Sequence, residues 1–472
     1  MFGLEPSIFI LLCICLFCAC AFEFVNGFHD TANAVATVIY THSLPPNIAV
    51  VWSGICNFLG VLTGGIGVAV GIINLLPVEM LVDQNIYHSI AMVLALLLSA
   101  IIWNLGTWYF GLPSSSSHTL IGSILGVGLA YSFISTTGTI QVNTEKAYEI
   151  LLSLLISPVV GFSLSIFVMF ILRRVMRNND TLFKEPKKNT PPPTWIRSVL
   201  ILTCTGVSYA HGNNDGQKGV GLVMLILIGI TPTFFALKET VPPAQLQGNL
   251  VRIEQVISSI NPTNLATGER ERVAKLRQNI VEMRGLLTQA QIGNKGIPAN
   301  QRLLVRRDIL LINSDLKKLT ESPNVDLSKA NRETLQAATD RKGGLGEATD
   351  FAPFWVILMI SLSLGLGTMI GWKRIVVTVG EKIGKQHLTY AQGASAELVT
   401  AVVIMISSLK SLPVSTTHIL SSGIAGSMVA SKGVKNLQAK TVRNIALAWV
   451  LTLPVSIMLA GTLFILLRNL LG

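Results

Sequence analysis

The chain has 472 residues, half of them hydrophobic and only 13% charged, with a mean hydropathy of +0.57. A soluble domain of this size carries about twice that charged fraction, so the composition indicates a polytopic membrane protein and excludes an ordinary water-soluble globule. The net charge of +11 would suit nucleic acid, but the basic residues stand in short loops beside apolar spans, as orientation in a membrane requires, and no nucleic-acid partner is expected.

Taken in order, the apolar runs of spanning length are residues 7–41, expected to be interrupted near Asp30, then 47–76, 88–111, 113–135 and 148–172. A second set follows: 195–237, expected to be interrupted at Asp215, then 352–372, 391–411, 413–431 and 441–467. Residues 7–22 imitate a signal peptide, but no basic segment precedes them and the run leads directly into the Asp30 stretch, so a retained first span is expected. All six cysteines fall in apolar segments and read as small buried hydrophobes, not as a disulfide framework or metal site.

The expected fold is an all-α polytopic membrane protein with two repeats of about five membrane elements each. The first repeat is 1–172, a basic cytoplasmic linker is 173–194, the second repeat starts at 195–237 and resumes at 351–472, and 238–350 is a soluble insert. Because five is odd, the second repeat crosses in the opposite sense, which gives inverted topology. With residue 1 outside, the segments 173–197, 373–385 and 432–443 lie in the cytoplasm and carry 15 Lys and Arg, against 3 in the outward loops and ends. The insert is then extracytoplasmic. In it Val273, Leu276, Ile280, Met283 and Leu287 recur at helical spacing, and so do Leu304, Leu311 and Leu316, so a small amphipathic helical bundle is expected. Pro191, Pro192 and Pro193 end the linker as a stiff connector.

Two motifs occur twice. Asp30 lies in VNGFHDTANAVAT and Asp215 in HGNNDGQKGVG; Leu112-Pro113-Ser114-Ser115-Ser116-Ser117-His118 is matched by Leu412-Pro413-Val414-Ser415-Thr416-Thr417-His418. Asp30 precedes Pro113 by 83 residues and Asp215 precedes Pro413 by 198; without the insert of about 113 residues the second spacing becomes about 85. The two halves are one unit used twice.

Each hydroxyl motif puts Pro at the start of a helix, followed by small hydroxyl residues. Free N–H groups and the positive end of the helix dipole make such a terminus an anion site. Two of them facing one another would let Ser115, Ser116, Ser117, Ser415, Thr416 and Thr417 donate to a tetrahedral oxyanion. The simpler reading, ordinary capping and helix packing, weakens once the motif recurs in register. A carboxylate at bilayer depth costs about 2.5–3.5 kcal/mol even on lenient insertion scales, so Asp30 and Asp215 need a partner. Beside an anion they require a proton or cation, and they suit hydrogen phosphate, whose P–OH they accept, over sulfate. Asn33, Asn213 and Asn214 offer neutral oxygens to a hard cation, and Glu397, and after it Glu23, are the remaining intramembrane carboxylates. Lys218 is the one visible ion-pair partner for an aspartate. His29, His118, His211 and His418 flank the motifs and read first as helix-packing residues.

These motifs resemble the two copies of the Gly-Ala-Asn-Asp signature and the paired Leu-Pro-x-Ser-Thr-Thr-His stretches of the inorganic phosphate transporter (PiT) family, closest to its bacterial low-affinity members. The resemblance covers nearly all of the membrane part. It implies phosphate ligands at Asp30, Asp215, Ser115 to Ser117 and Ser415 to Thr417, and coupling-ion ligands at Asn33 and the signature asparagines. It also implies a multi-pass protein of the bacterial plasma membrane, and a homodimer. His29 replaces an Asn of the signature, Lys218 stands where a later Asn would be, and Ser116 and Ser117 replace threonines. The gain of a cation at 218 favours protons over a symmetric pair of sodium ions, with Mg2+ or another divalent metal as a companion of phosphate. No resident metal and no cofactor is expected. The leading expectation is phosphate import by cation symport; sodium coupling, sulfate transport and a passive anion channel are the alternatives. An intramembrane hydrolase is excluded, because Ser117 and His118 are adjacent on a helix and point about 100° apart.

Overall fold

The computed structural model describes residues 3–73, 75, 85–134, 144–187, 190–260, 265–292, 296–322 and 325–472. Among these the chain is all-helical, with one isolated bridge between Gly384 and Leu437. It divides into two compact units, Ile226–Ala352 with Met1–Glu5 and Val78–Ile86, and the membrane-type remainder.

In the membrane-type unit, α1 (Pro6–Asp30) and α2 (Ala32–Tyr40) are separated only by Thr31. They are followed by α3 (Pro46–Thr63), α4 (Gly67–Ile73), α5 (Ile86–Tyr109), α6 (Ser116–Ile134) and α7 (Thr144–Val175). The linker leads into α8 (Thr194–Ile230). The insert contributes α9 (Pro243–Ser259), α10 (Thr267–Ile292), α11 (Arg302–Glu321) and α12 (Lys329–Thr339). The chain ends with α13 (Phe354–Thr368), α14 (Lys373–Glu381), α15 (Tyr390–Leu409), α16 (Thr416–Lys432) and α17 (Ala439–Leu471). Among the described residues, seven helical stretches, counting α1 and α2 as one, are long and apolar enough to cross a bilayer, and the α13 and α14 pair, bent by 64°, makes an eighth if it is one broken span.

Four sequence expectations are corrected here. Residues 195–237 do not break at Asp215. Helix α8 runs through it, because the motif holds no proline and His211–Asp215 and Lys218–Asp215 pairs at i,i+4 and i,i+3 support the helix. That polar motif also keeps α8 out of the set of apolar spans. Much of the segment 373–385, read as a loop, is helix α14, which buries Ile375, Val376 and Val379 and exposes Lys373, Arg374 and Glu381. Its apolar face packs on α2. Pro113 and Pro413 stand before their helices instead of at the first helical position; Ser115 and Ser415 cap the turns by accepting from the N–H of His118 and His418, each at 3.2 Å. In the insert, the α10 stripe is buried as expected, but the buried face of α11 is Val305, Ile309, Ile312, Leu316 and Leu319, so Leu304 and Leu311 fall at its edge.

The helix contacts recur with the repeats exchanged. Helix α6 packs along α17 and α16 along α7; α1 packs on α13 and α3 against α8. Glycines allow the closest approaches. A Cβ on Gly60 would lie 2.3 Å from the Tyr209 carbonyl oxygen and one on Gly367 2.1 Å from that of Phe24; Gly126 and Gly426 meet Ile457 and Phe162 in the same way, at 2.2 and 2.3 Å. This exchange is compatible with inverted repeats.

Candidate functional site

Helices α1 and α8 bring Asp30 and Asp215 to the middle of the membrane-type unit, where neither is more than 2% exposed. Both hydroxyl motifs reach Asp30. Ser116 Oγ donates to its Oδ2 at 3.0 Å, Thr417 Oγ1 donates to its Oδ1 at 2.8 Å, and Thr416 Oγ1 approaches Oδ2 at 3.4 Å. Asn33, one turn after Asp30, donates to Thr417 Oγ1 at 3.0 Å, and its own carbonyl oxygen Oδ1 has no hydrogen-bond partner. His29 Nδ1 lies 3.2 Å from Asp30 Oδ1, and its Nε2 meets Thr107 Oγ1 at 3.2 Å.

Asp215 is held differently. Lys218 Nζ donates to Asp215 Oδ1 at 2.6 Å and to Ser117 Oγ at 2.5 Å, and Ser117 Oγ in turn donates to the Val414 carbonyl at 2.9 Å. The ammonium therefore ties an aspartate of the second repeat to a hydroxyl of the first. Between the aspartates stands His211, whose Nε2 is 3.5 Å from an oxygen of each, while its Nδ1 faces Asn57 Oδ1 at 2.8 Å. One ligand atom each from Asp30, His211 and Asp215 lie within 4.8 Å of one another, a set that suits a divalent cation.

Of the residues expected to bind an anion, Asp30, Asp215, Ser116, Ser117, Thr416 and Thr417 are brought together, whereas Ser115 and Ser415 use their hydroxyls as caps. The asparagines separate. Asn33 faces the hydroxyls. Asn214 ties down the approach to the second motif, donating to Ser408 Oγ at 3.0 Å and to the Leu412 carbonyl at 3.2 Å. Asn213 is half-buried against Gly64. Glu397 occupies a separate buried position, accepting from Thr37 of α2 and from Thr203 of α8, the latter at 2.5 Å. The rings of His118 and His418 lie tilted against each other with centroids 4.4 Å apart, and His418 stacks on Trp449 at 3.9 Å. Sequence reasoning undervalued His211 and treated Lys218 only as an ion-pair candidate. Their spacing from Asp215, four before and three after on one helix face, is the signal that placed both at the centre.

An all-helical membrane protein with repeated motifs that converge on a buried centre has the build of a transporter. Residues 26–460 match the phosphate transporter family. The chain is 40% identical to the low-affinity inorganic phosphate transporter PitA of Escherichia coli K12, over 98% of this chain and 97% of that one. It is 42% identical to the low-affinity inorganic phosphate transporter of Buchnera aphidicola from Acyrthosiphon pisum, over 96% of each. A solved structure described as the sodium-dependent phosphate transporter shares the fold with a TM-score of 0.55 at 19% identity, over 98% of this chain and 99% of that one. The chain belongs to the phosphate transporter family.

Proposed function

We propose that this protein imports inorganic phosphate by cation symport, with protons as the coupling ion and a divalent metal as companion of the phosphate. The observation that carries this reading is that the donors an oxyanion needs are already bonded to Asp30. Ser116 and Thr417 hold its carboxylate, and an incoming phosphate obtains them only if Asp30 is neutralised. Anion entry and cation entry are then one event. Asp215 needs no mobile cation, because Lys218 is fixed beside it. This asymmetry argues against two equivalent sodium sites and for a proton at the Asp30 half.

The Asp30, His211 and Asp215 set supports phosphate arriving with a divalent metal, as cargo. Asp30, His211 and Asp215 are the residues that would hold the metal, and its charge would offset the repulsion between the carboxylates and the anion. The hydroxyls of Ser116, Ser117, Thr416 and Thr417 would complete the shell around the oxygens of the anion. The two repeats then rock about this centre, as in other transporters with repeats of opposite topology. The excess of Lys and Arg in 173–194 and 432–443 supports a cytoplasmic face there and an outward insert.

The test is radiolabelled phosphate uptake into proteoliposomes under an imposed proton gradient, then a sodium gradient, each with and without Mg2+. Proton-driven uphill accumulation enhanced by Mg2+ is expected. Accumulation driven by sodium alone would overturn the coupling ion, and flux that neither saturates nor follows a gradient would make the protein a channel.

A further inference from the structure

Glu23 lies on α1, two turns before Asp30, and is 0% exposed. Its Oε2 accepts one hydrogen bond, from Asn26 Nδ2 at 3.2 Å, and its Oε1 has none. The carbonyl oxygen of Asn26 is also buried and unpartnered. These two orphan oxygens sit three residues apart on one face of the helix. Among the described residues no fixed cation is paired with them: the charged groups that face Glu23 from α8 are Asp215, Lys218 and His211, and the bonds of Lys218 go to Asp215, Ser117 and the Val414 carbonyl. Helix α13, packed on α1, contains no titratable residue; α6 brings His118 and α1 itself Cys20.

The opposite wall is shaped for this carboxylate. A Cβ on Gly219 would lie 2.5 Å from Glu23 Cγ and 2.6 Å from Oε1. By the spacing of Asp30 and Asp215, the first repeat has Ala34 at that place, so only the second copy leaves the room. A buried carboxylate with one weak donor is too costly to keep as a bare anion, so it holds either a proton or a metal cation.

We propose that Glu23 and Asn26 form a monovalent cation site, for H+ or Na+, separate from the centre that holds the aspartates. Its place in a transport cycle rests on the symport reading above; its existence as a site does not. Gly219 follows Lys218, so the charge state of Glu23 acts on the ammonium that clamps Asp215. An ionised Glu23 draws Lys218 away from Asp215, and a neutral one lets it stay, which links cation binding here to the clamp in both directions.

The experiment uses the purified full-length protein, wild type and Glu23→Gln. Saturable binding of radiolabelled sodium and the infrared carbonyl band of a protonated carboxylic acid are recorded for both. The expected result is that Glu23→Gln loses one of the two signals, the sodium component if the ion is Na+ or the acid band if it is H+, and that Glu23→Asp keeps it at an affinity lowered roughly tenfold. Glu23→Gln is also expected to melt at or above the wild-type temperature, because the amide is neutral without a bound cation and so ends the cost of burying the carboxylate. Both signals unchanged in Glu23→Gln, or a melting temperature well below wild type, would overturn the proposal. In proteoliposomes, failure of the wild type to accumulate phosphate would overturn the symport reading alone, since the sodium and infrared signals do not depend on it.

Discussion

Both oxygens of Asp30 accept from hydroxyls of the two repeats, whereas Asp215 has one oxygen on the Lys218 ammonium and the other without a hydrogen bond, and the two arrangements make different predictions. Asp30→Asn keeps the shape but ends the competition between carboxylate and oxyanion for Ser116 and Thr417. Phosphate uptake is expected to fall by a factor of about a hundred with little change in melting temperature, since the amide oxygen still accepts from one of those hydroxyls and the other can turn to accept from the amide N–H. Lys218→Met leaves Asp215 buried beside no cation, and removing one partner of such a pair costs about 3–5 kcal/mol. The melting temperature of this variant should drop sharply, and adding Asp215→Asn should recover most of the loss. A double substitution no more stable than Lys218→Met alone would show that Lys218 is held for its contact with Ser117 and not for Asp215.

Among the elements, the crossing of α3 with α8 and of α1 with α13 depends on Gly60 and Gly367, where neighbouring backbones touch. Because carbonyl oxygens cannot rotate aside as side chains do, Gly60→Ala and Gly367→Ala should each destabilise by about 1–3 kcal/mol, read as a lower melting temperature in detergent. Alanine at Gly106, with nothing within 4 Å of its added methyl, is the control and should melt as wild type does. The spans and the doubled motifs were legible in the sequence because apolar runs and repetition are one-dimensional signals. The long α8 and the surface helix α14 were not. Whether HGNNDGQKG bends or continues depends on contacts from Asp215 to His211 and Lys218, and the apolar side of α14 has meaning only once α2 lies against it. The same holds within the site. The residue types were visible, but which hydroxyls bind and which cap depends on where the helix starts, and its start three residues after Pro113 and Pro413 reassigned Ser115 and Ser415.

At the scale of the whole molecule, the insert supplies a prediction that needs no transport. Burial raises the carboxyl of Asp308 above its ordinary value of 3.8, more than Arg307 beside it lowers it, and Asp308 Oδ2 has no partner. A raised acid binds its proton more tightly folded than unfolded, so its contribution is fully present below about pH 3.8 and is lost as the pH rises through the raised value. Asp308→Asn should therefore slow proteolysis of the insert at pH 7 and leave it unchanged near pH 3.5. Orientation is tested by single cysteines in a background without native ones. Glu185→Cys in the linker should react with an impermeant maleimide only from the cytoplasmic side, and Glu321→Cys in the insert only from the outside. The bonds within the centre reach further than affinity. Ser116 and Thr417 bond Asp30 and Lys218 bonds Asp215 within the chain itself; on the symport reading proposed above, these internal partners stand in for the load and let the carrier shut and turn round without it. A carrier of that kind resets without waiting for phosphate on the far side. Phosphate placed there should accelerate inward flux only slightly, and a variant deprived of the stand-in, Lys218→Met with Asp215→Asn, should work mainly by swapping one phosphate for another.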